Sequence, residues 1–517
     1  MEGKWNMNNL RKWNIFMLII VLMLTIFRVP ASAEIRHKKR KVETPEKTKV
    51  ILFVNTKAQL KLKNASKEQK FQWSSSNKKI ATITQKGKVT ARKAGKAKIT
   101  AKSGTKKYIF LITVKKKVKL KNTKGKNASD IAGLKKIIES QILQGASIST
   151  DLNKTSQYIW DEKGRLTELH WNKKKLKGSL SLKKFPSLTV LECRQNELTN
   201  LNLGKNSVLE KLDCGNNKLK KLDVSQNTVL KQLNCQHNEL MKLNINRNAA
   251  LTELICPFNI LPTLDVSKNT ALEKLDCSYN GLSMLDVSKN TALKYLDCTH
   301  CYRMSHLDLG SNTLLESLYC GKNELTTLDL PNNAALKFLD CSFNDLRTLD
   351  VSRNSSLNSL NCSYNGILAL DLSKNTNLTD LNCSYNYLTS LDISQNTNLD
   401  DLNCRENELT TLNVSHNTAL TSLECSENEL TKLDVSKNTA LIFLCCRNNK
   451  LTNLDVSKNT ALWSLYCENN NLTALDISKN ISLKILYCTH NKITSLDISQ
   501  NPALENLLCD SSVTVKK

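Results

Sequence analysis

The sequence predicts a mostly-β molecule: a long solenoid with a parallel β-sheet, a helical N-terminal cap, and a small β-sandwich ahead of both. Three observations carry that prediction. From Cys193 to Cys509 the pattern L-x-x-L-x-C-x-x-N-x-L returns every 21 residues, with one 22-residue step between Cys298 and Cys320. From Val50 to Lys115 short alternating apolar runs are split by turn residues every eight to twelve positions or so, the rhythm of a small sandwich. From Asn127 to Gly145, Ile131, Leu134, Ile137, Ile138 and Leu143 recur at helical spacing.

Taken in chain order, residues 1–33 read as a secretory signal. Lys4, Arg11 and Lys12 precede an apolar run from Ile15 to Phe27, and Ala31-Ser-Ala33 supplies a small-residue cleavage site. The run is too short for a membrane span, and no later stretch is apolar enough for one. Residues 34–47 form a basic linker. Residues 48–117 are the sandwich, with Trp73 expected in its core and Gly87 and Gly95 in turns. Residues 118–165 hold the cap: a helix started by Ser129 or Asp130 and ended by Gly145, then a hairpin around Tyr158–Gly164. A solenoid needs such a cap because its first coil otherwise exposes an apolar end. Residues 166–517 are the array, opened by a degenerate coil with Trp171 in the cysteine slot.

A fixed step of this length defines a leucine-rich repeat. In the coil around Cys277, Leu272, Leu275, Cys277 and Leu282 should point inward and Lys274, Asp276 and Ser278 outward. The opposite half, Leu264–Asn269, repeats the alternation with Asp, Ser and Asn at every half-turn, so extended chain rather than helix is expected there. Asn269 and Asn280 fall where the chain turns inward, placed to satisfy backbone groups at the bends. The ladder comprises Cys193, Cys214, Cys235, Cys256, Cys277, Cys298, Cys320, Cys341, Cys362, Cys383, Cys404, Cys425, Cys446, Cys467, Cys488 and Cys509. Neighbours about 4.8 Å apart with parallel Cβ directions are expected as buried thiols rather than disulfides. Cys301 and Cys445 lie outside the column.

These features resemble the internalin-type, cysteine-ladder leucine-rich-repeat surface proteins of Gram-positive bacteria. The resemblance spans roughly Leu166 to Cys509 and implies a secreted recognition scaffold with a concave ligand face. No LPxTG-like sorting signal is read, so attachment to the wall is expected to be non-covalent. Within 48–117, Trp73-Ser-Ser-Ser-Asn77, Ile80-Ala-Thr, Gly87-Lys-Val-Thr-Ala91 and Ala94-Gly95 resemble the bacterial Ig-like domain, group 2, which implies a spacer or wall-proximal module.

Charge divides unevenly. Residues 34–130 hold 30 Lys+Arg against 5 Asp+Glu, whereas residues 191–517 hold 30 against 36, so the net +28 belongs to the front of the chain. Such a block attracts polyanions through salt-sensitive fields, and in a secreted protein an anionic cell-wall polymer is the expected partner. Nucleic acid is not expected, because the aromatic-and-basic platform for single strands is missing.

No P-loop, G-x-S-x-G elbow or H-E-x-x-H occurs, and neither an enzyme nor a cofactor is read. Cys298-Thr-His300-Cys301 has metal-like spacing, but its two cysteines sit on different parts of one bend, so no metal site is assigned. Asp276 and Asp297 stack at one outward column, read as solvated. Aromatic residues crowd the middle of the array: Tyr279, Phe343, Tyr364 and Tyr385 two residues past the cysteine, and Tyr295, Tyr319 and Phe338 on the strand. They are read as one continuous strip binding a protein or glycan ligand, with Tyr466 and Tyr487 outside it. The alternatives are a ligand-free spacer and a secreted enzyme that uses the array to hold substrate.

Overall fold

The structure, a computed structural model, describes residues 47–62, 65, 69–204 and 206–517. The signal segment 1–33 and the linker up to residue 46 lie outside the described residues. The chain forms two compact units.

The first is the sandwich. Its strands are β1 (Lys47–Phe53), β2 (Lys57–Gln59), β3 (Gln72–Ser75), β4 (Ala81–Ile83), β5 (Lys88–Ala91), β6 (Gly95–Ser103) and β7 (Lys106–Lys115), in sheets ordered β1-β7-β6-β3 and β2-β5-β4. In β6 the period of two is plain: Ala97, Ile99 and Ala101 are buried, while Lys96, Lys98 and Lys102 are exposed. Trp73 is buried and stacks on Phe110, with ring centroids 5.8 Å apart. Gly87 has φ +75, and a Cβ there would come within 2.8 Å of the Trp73 ring, so the turn and the core packing both require glycine. Gly95 opens β6 rather than sitting in a turn.

The cap helix α1 spans Ala128–Leu143. Its N-cap is Asn127, whose Oδ1 accepts from the Ser129 and Asp130 amides. Asp130, expected as a cap, is instead fully buried in an ion pair with Arg165 at 2.9 Å and also accepts from Leu166 N. Leu134 and Ile138 face the core, and Gln141 ties the helix to the first coil through both its amide atoms and the Lys177 backbone. A short antiparallel pair follows, β8 (Tyr158–Trp160) against β9 (Leu166–His170). Trp171 fills the cysteine slot with no exposure and meets Tyr158 edge-on at 6.3 Å.

From β9 onward every coil adds one parallel strand of about three residues to a single sheet, joined only to the coil before and the coil after. In the Cys277 coil the strand is Lys274–Asp276, and Leu275 pairs in register with Leu254 and Leu296. Leu272, Leu275, Cys277 and Leu282 are fully buried. The opposite wall is extended chain punctuated by turns, as at Asp265, whose carboxylate accepts from Ser267 N at 3.0 Å. Named strands occur on that wall only toward the ends: Lys177–Ser181 with Glu197–Asn202, and Ser495–Asp497 with Thr514–Lys516.

The asparagines hold the bends together. Asn280 Nδ2 donates to Cys256 O and Cys277 O, both at 3.0 Å, and its Oδ1 accepts from Leu261 N. Asn269 Nδ2 bonds Ile245 O and Asn248 O. Each amide thus bridges two coils, and the same bonds recur down the column. Cys301 stands in this slot once, turning its thiol toward Cys277 O at 3.6 Å. All 18 cysteines are free; every one but half-buried Cys509 is buried. Burial holds the ladder thiols protonated, pushing Cys235 and Cys404 up to about 12. At the far end Asp510 accepts from the His490 and Asn491 amides, and Lys516 pairs with Asp497.

Candidate recognition surface

Most strands turn their first and third side chains toward solvent, with Cys445 and Ser464 as buried exceptions, and the bend that follows presents another. The bend position, two residues past the cysteine, is left-handed in every coil from Gln195 to His490: φ is +53 at Phe258, +52 at Tyr279, +54 at Phe343 and Tyr364, and +55 at Tyr385. Large side chains rarely accept that conformation. Here the coil geometry imposes it, and the rings answer by stacking on the neighbouring coil.

Two stacks result. His237, Phe258 and Tyr279 lie face to face at 4.1 and 4.2 Å, and Tyr279 then meets His300 at 4.7 Å. Phe343, Tyr364 and Tyr385 lie face to face at 4.0 Å, with Lys322 over Phe343 and Arg405 over Tyr385. The 22-residue coil separates the stacks: its extra turn puts Tyr302, also left-handed, across His300. Along the bend column the aromatic residues therefore form two stacks and a gap rather than one run. Faces of the inner rings are already used, so only ring edges meet solvent. Phe258, His237 and His300 are not among the aromatic positions read from the sequence, where His300 enters only through its metal-like spacing, although the same repeat column holds all three.

The strand-face rings differ. Tyr295 and Phe338 occupy the first strand column and Tyr319 the third. Tyr295 and Tyr319 are both half-buried, 5.6 Å apart and tilted by 42°, so they do not stack face to face; Lys274 Nζ lies over the Tyr295 ring, 5.3 Å from its centroid. Burial raises the pKa of both phenols. Phe338 is 43% exposed. Tyr466 and Tyr487, expected to lie outside the site, form a second strand-face group with Phe443: the three meet at 5.7 and 5.2 Å in tilted and edge-on contacts, beside exposed Ile442 and Trp463.

The carboxylates between these rings are not the solvated acids expected. Asp276 accepts from Ser278 N and Oγ at 3.1 and 2.7 Å, fixing the bend. Asp297 does the same with Thr299 N at 2.9 Å, and burial together with the Asp276 charge one strand away pushes it up to about 6. In later coils Asn361 and Asn382 make the same bonds without charge. Among the described residues, no group of three His, Cys, Asp or Glu side chains is arranged to hold a metal ion. In the Cys298–Cys301 segment His300 is instead wedged between Tyr279 and Tyr302.

Comparison with known proteins agrees with this geometry. Residues 44–109 match the bacterial Ig-like domain (group 2). The functional domain of InlJ from Listeria monocytogenes, whose structure includes a cysteine ladder, is 36% identical, with 64% of this chain and 70% of that chain covered and a TM-score of 0.54. A leucine-rich-repeat protein of Leptospira interrogans is 27% identical over 60% of this chain and 88% of its own, at TM-score 0.56. The internalin InlF of Listeria monocytogenes shares the fold at 21% identity, 59% and 88% coverage and TM-score 0.50. No curated protein matches the chain by sequence.

Proposed function

The chain belongs to the internalin-type leucine-rich-repeat proteins, and on that premise we propose that it is a secreted, non-enzymatic recognition protein of the cell surface. The array offers its strand face to a protein or glycan ligand, and the basic Ig-like module associates with the anionic cell envelope. One observation carries the first part: Tyr295 and Tyr319 meet tilted on the strand face rather than ring on ring, whereas the bend rings stack face to face. An open ring can pack against a sugar's C–H face or an apolar side chain; a stacked one has only its edge to give. Other coils fill these strand positions with polar residues such as Ser359, Asn361, Asp380 and Asn382, so large rings there favour contact with a partner.

The test is binding of the full chain to a glycan array and to a cell-surface protein extract. Tyr295→Ala with Tyr319→Ala should lower affinity for the captured ligand at least fivefold, the loss of a contact worth more than about 1 kcal/mol. Tyr466→Ala with Tyr487→Ala, which removes two tyrosines farther along the same face, should leave it within twofold. Unchanged binding by the first pair overturns the assignment.

A further inference from the structure

The envelope association proposed above needs a surface, and the sandwich has one whose charge arrangement is otherwise hard to account for. Between Lys47 and Val114 the sequence holds 17 lysines and one arginine against a single acidic residue, Glu68. One carboxylate cannot neutralise them. The charge is also ordered. Along β6 the outward positions are Lys96, Lys98, Thr100 and Lys102, and the first two lysines are about 6.8 Å apart at strand spacing. On β7 the cross-strand partner of Lys102 is Lys107, also exposed. Two like charges placed directly opposite each other destabilise a sheet, and sheets ordinarily set opposite charges there. Thr113 faces Lys96 across the same pair of strands, and β1 contributes exposed Lys47 and Lys49.

We propose that the outward face of the β1-β7-β6-β3 sheet is a binding site for a flexible, single-file phosphodiester polymer. It rests on the reading that the module associates with anionic envelope polymer, and adds the face and the chemistry. Lys96, Lys98 and Lys102, on three of four successive outward positions of one strand, suit a chain that carries one charge per monomer. Bound phosphates between Lys102 and Lys107 turn a repulsive pair into two attractive ones. Lysine suits this role as a point charge that follows a mobile ligand, where bidentate arginine would suit a fixed one. A planar lipid surface is the poorer fit: among the described large apolar residues of this unit only Leu111 is notably exposed, at 37%, so the face has little to insert. Stacked bases are the poorer fit too, since Tyr108 is half-buried and meets Phe71.

The experiment compares two full-length variants of equal charge change. Lys96→Gln, Lys98→Gln, Lys102→Gln and Lys107→Gln together empty the face; Lys57→Gln, Lys78→Gln, Lys79→Gln and Lys86→Gln remove four exposed lysines elsewhere in the module. The probes are poly(glycerol phosphate), single-stranded DNA and phosphatidylglycerol vesicles, each at low and physiological salt. The face variant should lose at least tenfold in affinity for poly(glycerol phosphate) with a shallower salt dependence, the other variant less than threefold. Saturating polymer should raise the melting temperature of the parent module and not that of the face variant. Equal losses in both variants would overturn the face while leaving the general electrostatic reading intact. No binding of the parent to any probe would overturn both. Tighter binding to vesicles or DNA than to the polymer would overturn the polymer.

Discussion

Asp297 sits where two needs conflict. Its carboxylate fixes a bend by accepting from Thr299 N, yet it is largely buried one strand from Asp276 and held at about 6. An unfolded aspartate titrates near 3.9, so the unfolded chain gives up its proton first as pH rises. Stability from this residue is therefore full below about pH 4, falls between about 4 and 6, and stays low above. The gap is worth at most about 3 kcal/mol; residual solvent at the side chain reduces that to about 1–2. Asp297→Asn keeps the acceptor, as Asn361 does two coils after Cys320, and removes the charge. It should raise the melting temperature at pH 7.5, and the advantage should vanish near pH 4; an advantage equal at both pH values would refute the account. The sequence showed which slot Asp297 occupies but not how dry that slot is. Alternation gives direction, whereas desolvation depends on what stands in the adjacent coils. The same limit explains Asp130, legible as a first-turn acid and found as the buried partner of Arg165.

At the scale of the element, the bend column shows how a repeat solves one strain many times. A left-handed residue with a side chain costs roughly 1–2 kcal/mol. Asn448 and Asn469 take the slot with a residue suited to it, while Phe343, Tyr364 and Tyr385 offset the cost by stacking. An outward ring read from sequence looks free to change; here it is tied to both neighbours. Phe343→Ala with Tyr364→Ala removes two ring pairs worth about 0.5–1.5 kcal/mol each and leaves alanine equally strained, so the array should lose about 1–3 kcal/mol in urea unfolding. Tyr364→Asn alone should be milder than Tyr364→Ala, because asparagine tolerates the conformation. Equal cost for the two single variants would show that the left-handed geometry is not what the column accommodates. The stacks' existence was legible in a repeat column. Their interruption was not, since an extra residue in the Cys298 coil tells that something changes without telling that Tyr302 swings across His300.

For the whole molecule, the fold class was legible because a period constrains every coil at once: register of Leu275 with Leu254 and Leu296, the thiol ladder and both amide columns all follow from one 21-residue step. Stability of such an array is a sum of coil terms and coil–coil interfaces, which makes the step itself testable. Residues 371–391 are one full step; their removal joins Leu370 to Asp392 and brings the Cys362 coil against the Cys404 coil. Every inward leucine, both asparagine columns and the thiol ladder then meet their own kind again. Asn361 would pair with Asn403, uncharged as now. At the bend Tyr364 would face Glu406, as Tyr385 does now, and the Tyr364–Tyr385 ring pair is lost. The shortened chain should fold with the same circular-dichroism signature per residue, shorten the solenoid by about 4.8 Å, and lose about 1–2 kcal/mol from the missing ring pair and interface. Removing only residues 371–380 breaks the phase: a ten-residue gap leaves half a coil with no opposite wall, and Asn375, which bonds Val351 O and Asn354 O, is lost without a successor. That variant should fail to fold cooperatively. If both deletions fold equally well, the columns do not act as the register device; if the full-step deletion unfolds the chain, the coils are not interchangeable units.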